Sequence, residues 1–219
     1  MSDDILPIFP LPNVVFFPGT RLPLHVFEPR YRQMLEEALA GDRRIGMVLL
    51  RPGWEKDYHG SPETHRVGSH GSVSDLVHLP DGRYNLVLED ARRFEIVEFV
   101  KEAPYRAARV RALPEGPPPP PALQQEKLER LTRLYAALAR VLGEDPAPQF
   151  HPHSPGEFDR QVNSLAMSLR VDAQVRQELL EAPGCGERAG ALEDLLARLV
   201  ERLRALERFS RLKSSPTVS

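Results

Sequence analysis

The stretch FPGTRLPLHVFEPRYR, Phe17 to Arg32, crowds His25, Glu28, Arg30 and Tyr31 together. An imidazole, a carboxylate, a guanidinium and a phenol could serve as base, acid, anion clamp and hydroxyl donor, so the stretch invites a catalytic reading. Each of these residues also has a structural post. Pro18-Gly19 fits the centre of a type II turn that reverses the chain between two strand-like runs, VVFF and RLPLHVF. His25 alternates with Leu24 and Val26 and faces the other side of its strand. Glu28 suits the cap or positive end of a helix, with Arg30 and Arg32 at the helix start. The structural reading is the stronger one.

No other constellation promises catalysis. The chain contains no GxxxxGK[ST] phosphate cradle and no GxSxG elbow, and Lys213 stands beside Ser214 and Ser215 with nothing to depress a lysine pKa. HPHSP sets His151 and His153 two residues apart, but no Cys, Asp or Glu follows in a ligand pattern; neither metal nor cofactor is expected. The basic pairs Arg43-Arg44 and Arg92-Arg93 suit phosphate contact or solvated turns. Trp54, the only tryptophan, lies with Tyr58 in the polar loop RPGWEKDYHG. It reads as a lid folded onto the sheet in preference to an exposed anchor. Trp54, Tyr58, Arg92 and Arg93 are the residues assigned to possible partner contact.

The elements that must hold these residues change character along the chain. Over residues 5–112 the apolar period is two. In RYNLVLED, Tyr84, Leu86 and Leu88 share a face, and the preceding Pro80-Asp81-Gly82 makes a hairpin turn back to VGSHGSVSDLVHL. RRFEIVEFV changes phase between Ile96 and Val97, which predicts a bulge. Ala108 and Val110 alternate with Arg109 and Arg111. One helix interrupts, from Pro29 to Ala40, with Tyr31, Met34, Leu35, Ala38 and Leu39 on one face and Gly41 as a left-handed stop. IGMVLL then resumes as a buried strand.

The proline run PEGPPPPPA over 114–122 reads as a spacer. Beyond it the period is helical. Leu128, Leu131, Tyr135, Leu138 and Leu142 form one stripe, and Val162, Leu165, Ala166 and Leu169 a second. Asp172 caps a third helix, which Pro183-Gly184 ends, and Leu192, Leu195, Leu196, Leu199, Leu203 and Leu206 mark a fourth. The predicted class is α+β: an antiparallel barrel with one inserted helix over 1–113, a linker over 114–122, a helical bundle over 123–212 and a disordered tail over 213–219.

With 219 residues, 41% of them apolar, the chain can bury a real core, and a net charge of -2 gives no basic field for nucleic acid. The single cysteine, Cys185, cannot close an internal disulfide. The acidic N-terminus does not resemble a signal peptide, and no run reaches membrane-span length. A cytoplasmic location and no membrane partner are expected.

LPIFPLPNVVFFPGTRLPLHVFEPRYRQML resembles the start of the Lon N-terminal domain, and the LPLHVFEPRYR form is closest to its stand-alone bacterial members and to the related domain of cereblon. Val67-Gly68, the PDGRYNLVLED hairpin and the Arg93-Phe94 strand continue the match, as does VNSLAMSLRVDAQVRQELLEAP in the helical half. Asp90 stands where the family pattern has glycine, and the HPHSP insertion and the proline run have no counterpart. The resemblance implies a PUA-like pseudo-barrel with a helical subdomain, acting in substrate recognition without the ATPase and serine–lysine protease domains, so no enzymatic activity is expected. The partner implied is an unfolded or extended polypeptide, bound on the barrel surface, in the cleft beside the bundle, or along a strand edge left open by an incomplete barrel. An RNA-binding role, known for other PUA-like proteins, is the alternative.

Overall fold

The computed structural model describes residues 4–58, 60–143 and 157–213, with side chains over 158–206 in the last span. His59, His151, His153 and the tail beyond 213 lie outside the described residues. Strands β1 (Asp4–Leu11) and β2 (Leu22–Val26) precede α1 (Pro29–Ala40), followed by β3 (Arg44–Leu49), β4 (Val67–His78), β5 (Tyr84–Lys101) and β6 (Arg106–Ala112). The helices α2 (Pro121–Leu142), α3 (Glu157–Ser168), α4 (Ala173–Glu181) and α5 (Cys185–Lys213) follow.

The sheet runs β2-β5-β4-β3-β1-β6, and an extra β5–β6 pairing closes β1, β3, β4, β5 and β6 into a ring. The sheet is mixed, which corrects the antiparallel expectation: β1 and β3 pair in parallel, from Ile8 against Gly46 to Leu11 against Leu49. β2 and α1 intervene between them, and only such a crossover can return a chain to its starting direction. Because the ring closes, the barrel leaves no open seam. Among the described residues β2 pairs only with β5, and its Pro23 has no N–H to offer a visiting strand.

β5 is the strand that both halves of the sheet share. Its 18 residues would extend about 60 Å if straight, and a strand that long must bend. Residues 84–88 pair with β2, residues 94–101 pair with β6, and Asp90 takes the left-handed conformation between them at φ 55°. Asp90 thus supplies the bend expected of a glycine there. The predicted bulge is present, with the β5–β6 register shifting between Ile96 and Glu98. Gly82 (φ 81°) turns the β4–β5 hairpin, and Gly19 (φ 70°) takes the third position of a turn closed by Thr20 N–H onto Phe17 O.

Three cores result. Leu6, Ile8, Val48, Phe94, Ile96, Ala108 and Val110 fill the barrel. The phenyl ring of Phe94 fits there because Gly46 and Gly68 leave space: a Cβ on Gly68 would sit 2.3 Å from Met47 O and 3.0 Å from Phe94 Cζ. A second core lies under α1, where Tyr31, Met34, Leu35 and Ala38 meet Leu22, Leu86 and Leu88. The third joins the helices to Val15, Phe17 and Leu49.

Val14–Phe17, read from its alternation as a strand, forms no ladder. It passes between two cores, with Phe16 in the one under α1 and Val15 and Phe17 in the helical one. Two helix-end readings also change. Gly41 has φ -105°, and the left-handed residue is Arg43 (φ 61°), whose N–H reaches Ala38 O at 2.9 Å. α2 begins at Pro121, inside the predicted spacer, because proline suits the first helical position. Asp172 caps α4 as predicted, accepting from Gln174 N–H at 2.8 Å.

His70 on β4 is half-buried, and this burial holds its imidazole below the ordinary histidine range; Arg44 and Arg92 act in the same direction, while Asp4 and Asp42 oppose them. Since the unfolded chain binds that proton more readily, stability is full above the unfolded histidine pKa of about 6.5 and falls as pH drops toward the folded value. Urea midpoints of His70→Gln measured from pH 7 to pH 5 should show a smaller decline than those of the parent chain. An identical decline would discount His70.

Candidate functional site

The crowded opening stretch divides into two separate sets of contacts. His25 Nδ1 lies 2.7 Å from Asn85 Oδ1, and Arg83 Nη1 approaches Nε2 at 3.4 Å. Arginine can only donate, so Nε2 accepts and the ring proton sits on Nδ1. The lone pair a base would need is therefore directed at a cation. Glu28 stands at the N-cap of α1 without a side-chain cap bond, and its carboxylate instead takes Tyr58 OH at 2.9 Å and Arg30 Nε at 3.1 Å. Burial pushes the Tyr31 phenol up to about 12. No acid–base pair is assembled.

Glu28, Arg30 and Tyr31 anchor the Trp54 loop. A 3-10 turn over Trp54–Asp57 places the indole 5.5 Å from the Tyr58 ring, edge-on. The Arg30 guanidinium lies 5.6 Å from Tyr58 and 4.6 Å from Tyr31, whose ring meets Phe9 at 4.2 Å. A continuous column of rings and one cation thus runs from the half-buried lid to the core. Tyr58→Phe removes the bond to Glu28 while keeping the ring. It should cost about 0.5–1.5 kcal/mol and red-shift the emission of Trp54 as the lid loosens, with unchanged emission counting against the column.

Of the other residues assigned to partner contact, Arg92 is exposed, but Arg93 is not available and that assignment is corrected. Arg93 is 5% exposed and donates to the carbonyls of Leu180, Ala182, Pro183 and Pro114. Its Nε lies 2.6 Å from Glu115 Oε1. The same carboxylate holds Arg188, which is fully buried, at 3.2 and 3.3 Å. Arg188 also donates to Asn163 Oδ1 at 2.7 Å and Leu179 O at 2.9 Å, and Asn163 donates to Pro18 O at 2.9 Å. This Arg93–Glu115–Arg188 triad ties β5, the proline run and α5 together, and through Asn163 it fixes the Pro18-Gly19 turn.

Several hollows open around this frame. One of about 550 Å³ lies beside the β5 bulge, lined by Arg51, Glu63, Arg66, Val97, Phe99 and Arg106 among others. A cleft of about 600 Å³ separates Thr20, Arg21 and Asp90 from Arg160, Ser164 and Met167 of α3. A groove of about 250 Å³ runs between α2, α5 and the α3–α4 turn. Among the described residues no group of three His, Cys, Asp or Glu could hold a metal ion, and no helix is long and apolar enough to cross a membrane. Cys185 is buried at the start of α5, and burial raises its thiol far above the ordinary range.

Residues 5–198, spanning barrel, triad and bundle together, match the family of the ATP-dependent protease La (LON) substrate-binding domain. The chain belongs to this family. Lon protease 2 of Myxococcus xanthus is 31% identical over 211 residues, covering 92% of this chain, and the Lon protease of Anaeromyxobacter dehalogenans is 29% identical over 210. The chain spans about a quarter of the length of these relatives. Among solved structures, the N-terminal domain of a Mycobacterium avium complex Lon protease superposes with TM-score 0.66 at 14% identity, covering 89% of this chain and 98% of that one. A Lon N-terminal domain protein from Xanthomonas campestris gives 0.57 at 23% identity, with the same coverage of both chains. These two share the fold.

As a member of the Lon substrate-binding family, the chain uses its motif residues mainly as framework. Gly68 makes room for Phe94, and Pro18-Gly19 makes the turn that Asn163 grips. Sequence reading missed Glu115, Asn163 and Arg188. The available signal was faint: a lone glutamate inside a proline run, and an arginine on the apolar side of α5.

Proposed function

We propose that this chain is a non-enzymatic polypeptide-recognition module that takes unfolded or extended segments of client proteins. The match of residues 5–198 to the Lon substrate-binding domain carries this reading. The side-chain chemistry supports it, because the one candidate catalytic cluster is consumed by its own hydrogen bonds. Trp54, Tyr58 and Arg92 remain candidates for partner contact, and the two large hollows are further surfaces on offer.

The test is binding to a reduced, alkylated globular protein against the same protein in its native form. Preference for the unfolded form is expected. Equal binding to both, or none, sinks the reading. A salt-dependent shift of single-stranded RNA would point to the nucleic-acid role in its place.

A further inference from the structure

The ring has no seam, yet β5 outruns the strand beside it. β4 pairs with β5 only as far as Val67 opposite Glu95, whereas β5 continues to Lys101, and from Ile96 on its only strand partner among the described residues is β6. The edge that faced β4 is left without a strand from that point. Ile96 N–H reaches Arg66 O at 2.8 Å, so the N–H and C=O of Ile96 both look away from β6. The register then slips at Val97, and the bulge brings a second carbonyl to the same edge. One side chain takes both: Arg66 Nη1 donates to Ile96 O and to Val97 O, at 3.1 Å each. The unbroken run from Ile96 to Phe99 lines the hollow of about 550 Å³, together with Glu63 and Thr64. Its two sides are tied to each other by Arg106 Nη1 on Pro62 O at 2.8 Å and Ser61 Oγ on Glu102 Oε2 at 3.1 Å, so the space is preformed.

We propose that this edge of β5 binds an extended polypeptide segment as an added strand, with the Arg66 guanidinium holding its place until it arrives. The assignment rests on the polypeptide-recognition reading and gives it a place and a mode. Main-chain carbonyls on a strand edge call for N–H donors in line along a chain, and an extended segment carries them at the matching spacing. A helix has free N–H groups only in its first turn. A folded client already uses its N–H groups in its own ladders and helices, so this edge selects for the unfolded form. Val97, 50% exposed in the lining, offers apolar contact to a side chain of the visiting strand. The volume takes about three leucine-sized side chains, judged against the 150 Å³ left by one leucine truncation. A charged side chain can also serve simply to guard an edge against pairing, but a guard needs no preformed space beside it.

The experiment uses the full chain and a short fluorescent peptide of alternating threonine and valine, in an unmodified form and in one with every backbone nitrogen methylated. The two share their side chains, but the second has no N–H to donate. Anisotropy titrations should show the unmodified peptide binding at least tenfold tighter, and hydrogen exchange over residues 96–101 should slow when it is added. Arg66→Ala, which removes the competing guanidinium, should bind the peptide at least threefold tighter; a circular dichroism melt confirms that it folds, and the methylation and exchange measurements on the parent chain stand without it. Equal affinity for the two peptides, protection elsewhere than 96–101, or unchanged or weaker binding by folded Arg66→Ala overturns the proposal. So does an Arg66→Ala variant that dimerises in sedimentation without binding peptide, since Arg66 would then be a guard alone. The unfolded-client assay separates the two readings. Client preference together with equal affinity for the two peptides removes the edge and leaves polypeptide recognition standing, whereas N–H-dependent peptide binding without client preference does the reverse.

Discussion

Glu115→Gln should lower the unfolding free energy by about 3–5 kcal/mol, the range for removing one partner of a buried ion pair. The substitution keeps the shape of the side chain and removes its charge. It leaves the Arg188 and Arg93 guanidiniums, with side chains 0% and 3% exposed, without a carboxylate. Their remaining partners are carbonyls and one amide, which satisfy geometry but cannot neutralise two cations. Burial already holds the Arg93 guanidinium below its ordinary range, the direction expected of a cation that is costly to desolvate. For a chain of this length the loss corresponds to a fall in melting temperature of roughly 6–20 °C. Urea unfolding followed by circular dichroism measures it. A change below about 1 kcal/mol would mean that the triad is as weak as an exposed pair.

Gly68→Ala should be nearly as damaging, for a steric reason. A Cβ there would sit 2.3 Å from Met47 O, 2.8 Å from Val48 Cγ1 and 3.0 Å from Phe94 Cζ. The closest of these is backbone within a paired strand, so it cannot swing aside as a flexible side chain would. Overpacking of this kind costs about 1–3 kcal/mol, and more where backbone must shift. Adding Phe94→Leu relieves the ring contact but not the carbonyl, so the double variant should not recover the parent stability. Recovery would show that the ring alone sets the requirement for glycine. Gly53→Ala is the control: its Cβ meets nothing within 4 Å, and only its left-handed backbone (φ 92°) is strained.

Much of the fold was legible because it is encoded locally. The 3.6-residue stripe from Tyr31 to Ala38, the period-two faces of β5 and the Pro80–Gly82 turn each report on neighbours a few residues away, and the structure places all three as predicted. Val14–Phe17 shows the limit of that method. Its alternation correctly separates two faces, but a segment wedged between two cores has the same pattern as a strand in a ladder. The site was less legible still. Arg92 and Arg93 are adjacent and identical in the sequence, yet one is exposed and the other is buried among four carbonyls.

The sequence by itself determined the family, the position of α1, the β4–β5 hairpin and the absence of a nucleotide-binding or nucleophile motif, since these depend on residue types at short spacings. Only the tertiary structure decided the parallel β1–β3 pairing, the closure of the ring by β5 and β6, and the joining of Glu115 to Arg188 across 73 residues. The physical reason is common to all three. Hydrogen-bonding and charged groups have many partners of suitable chemistry along a chain, and which one is chosen depends on the packing of apolar faces that brings distant segments together. FPGTRLPLHVFEPRYR follows the same rule. Its residue types suggested chemistry, and its neighbours in space assign it to holding a lid and a turn.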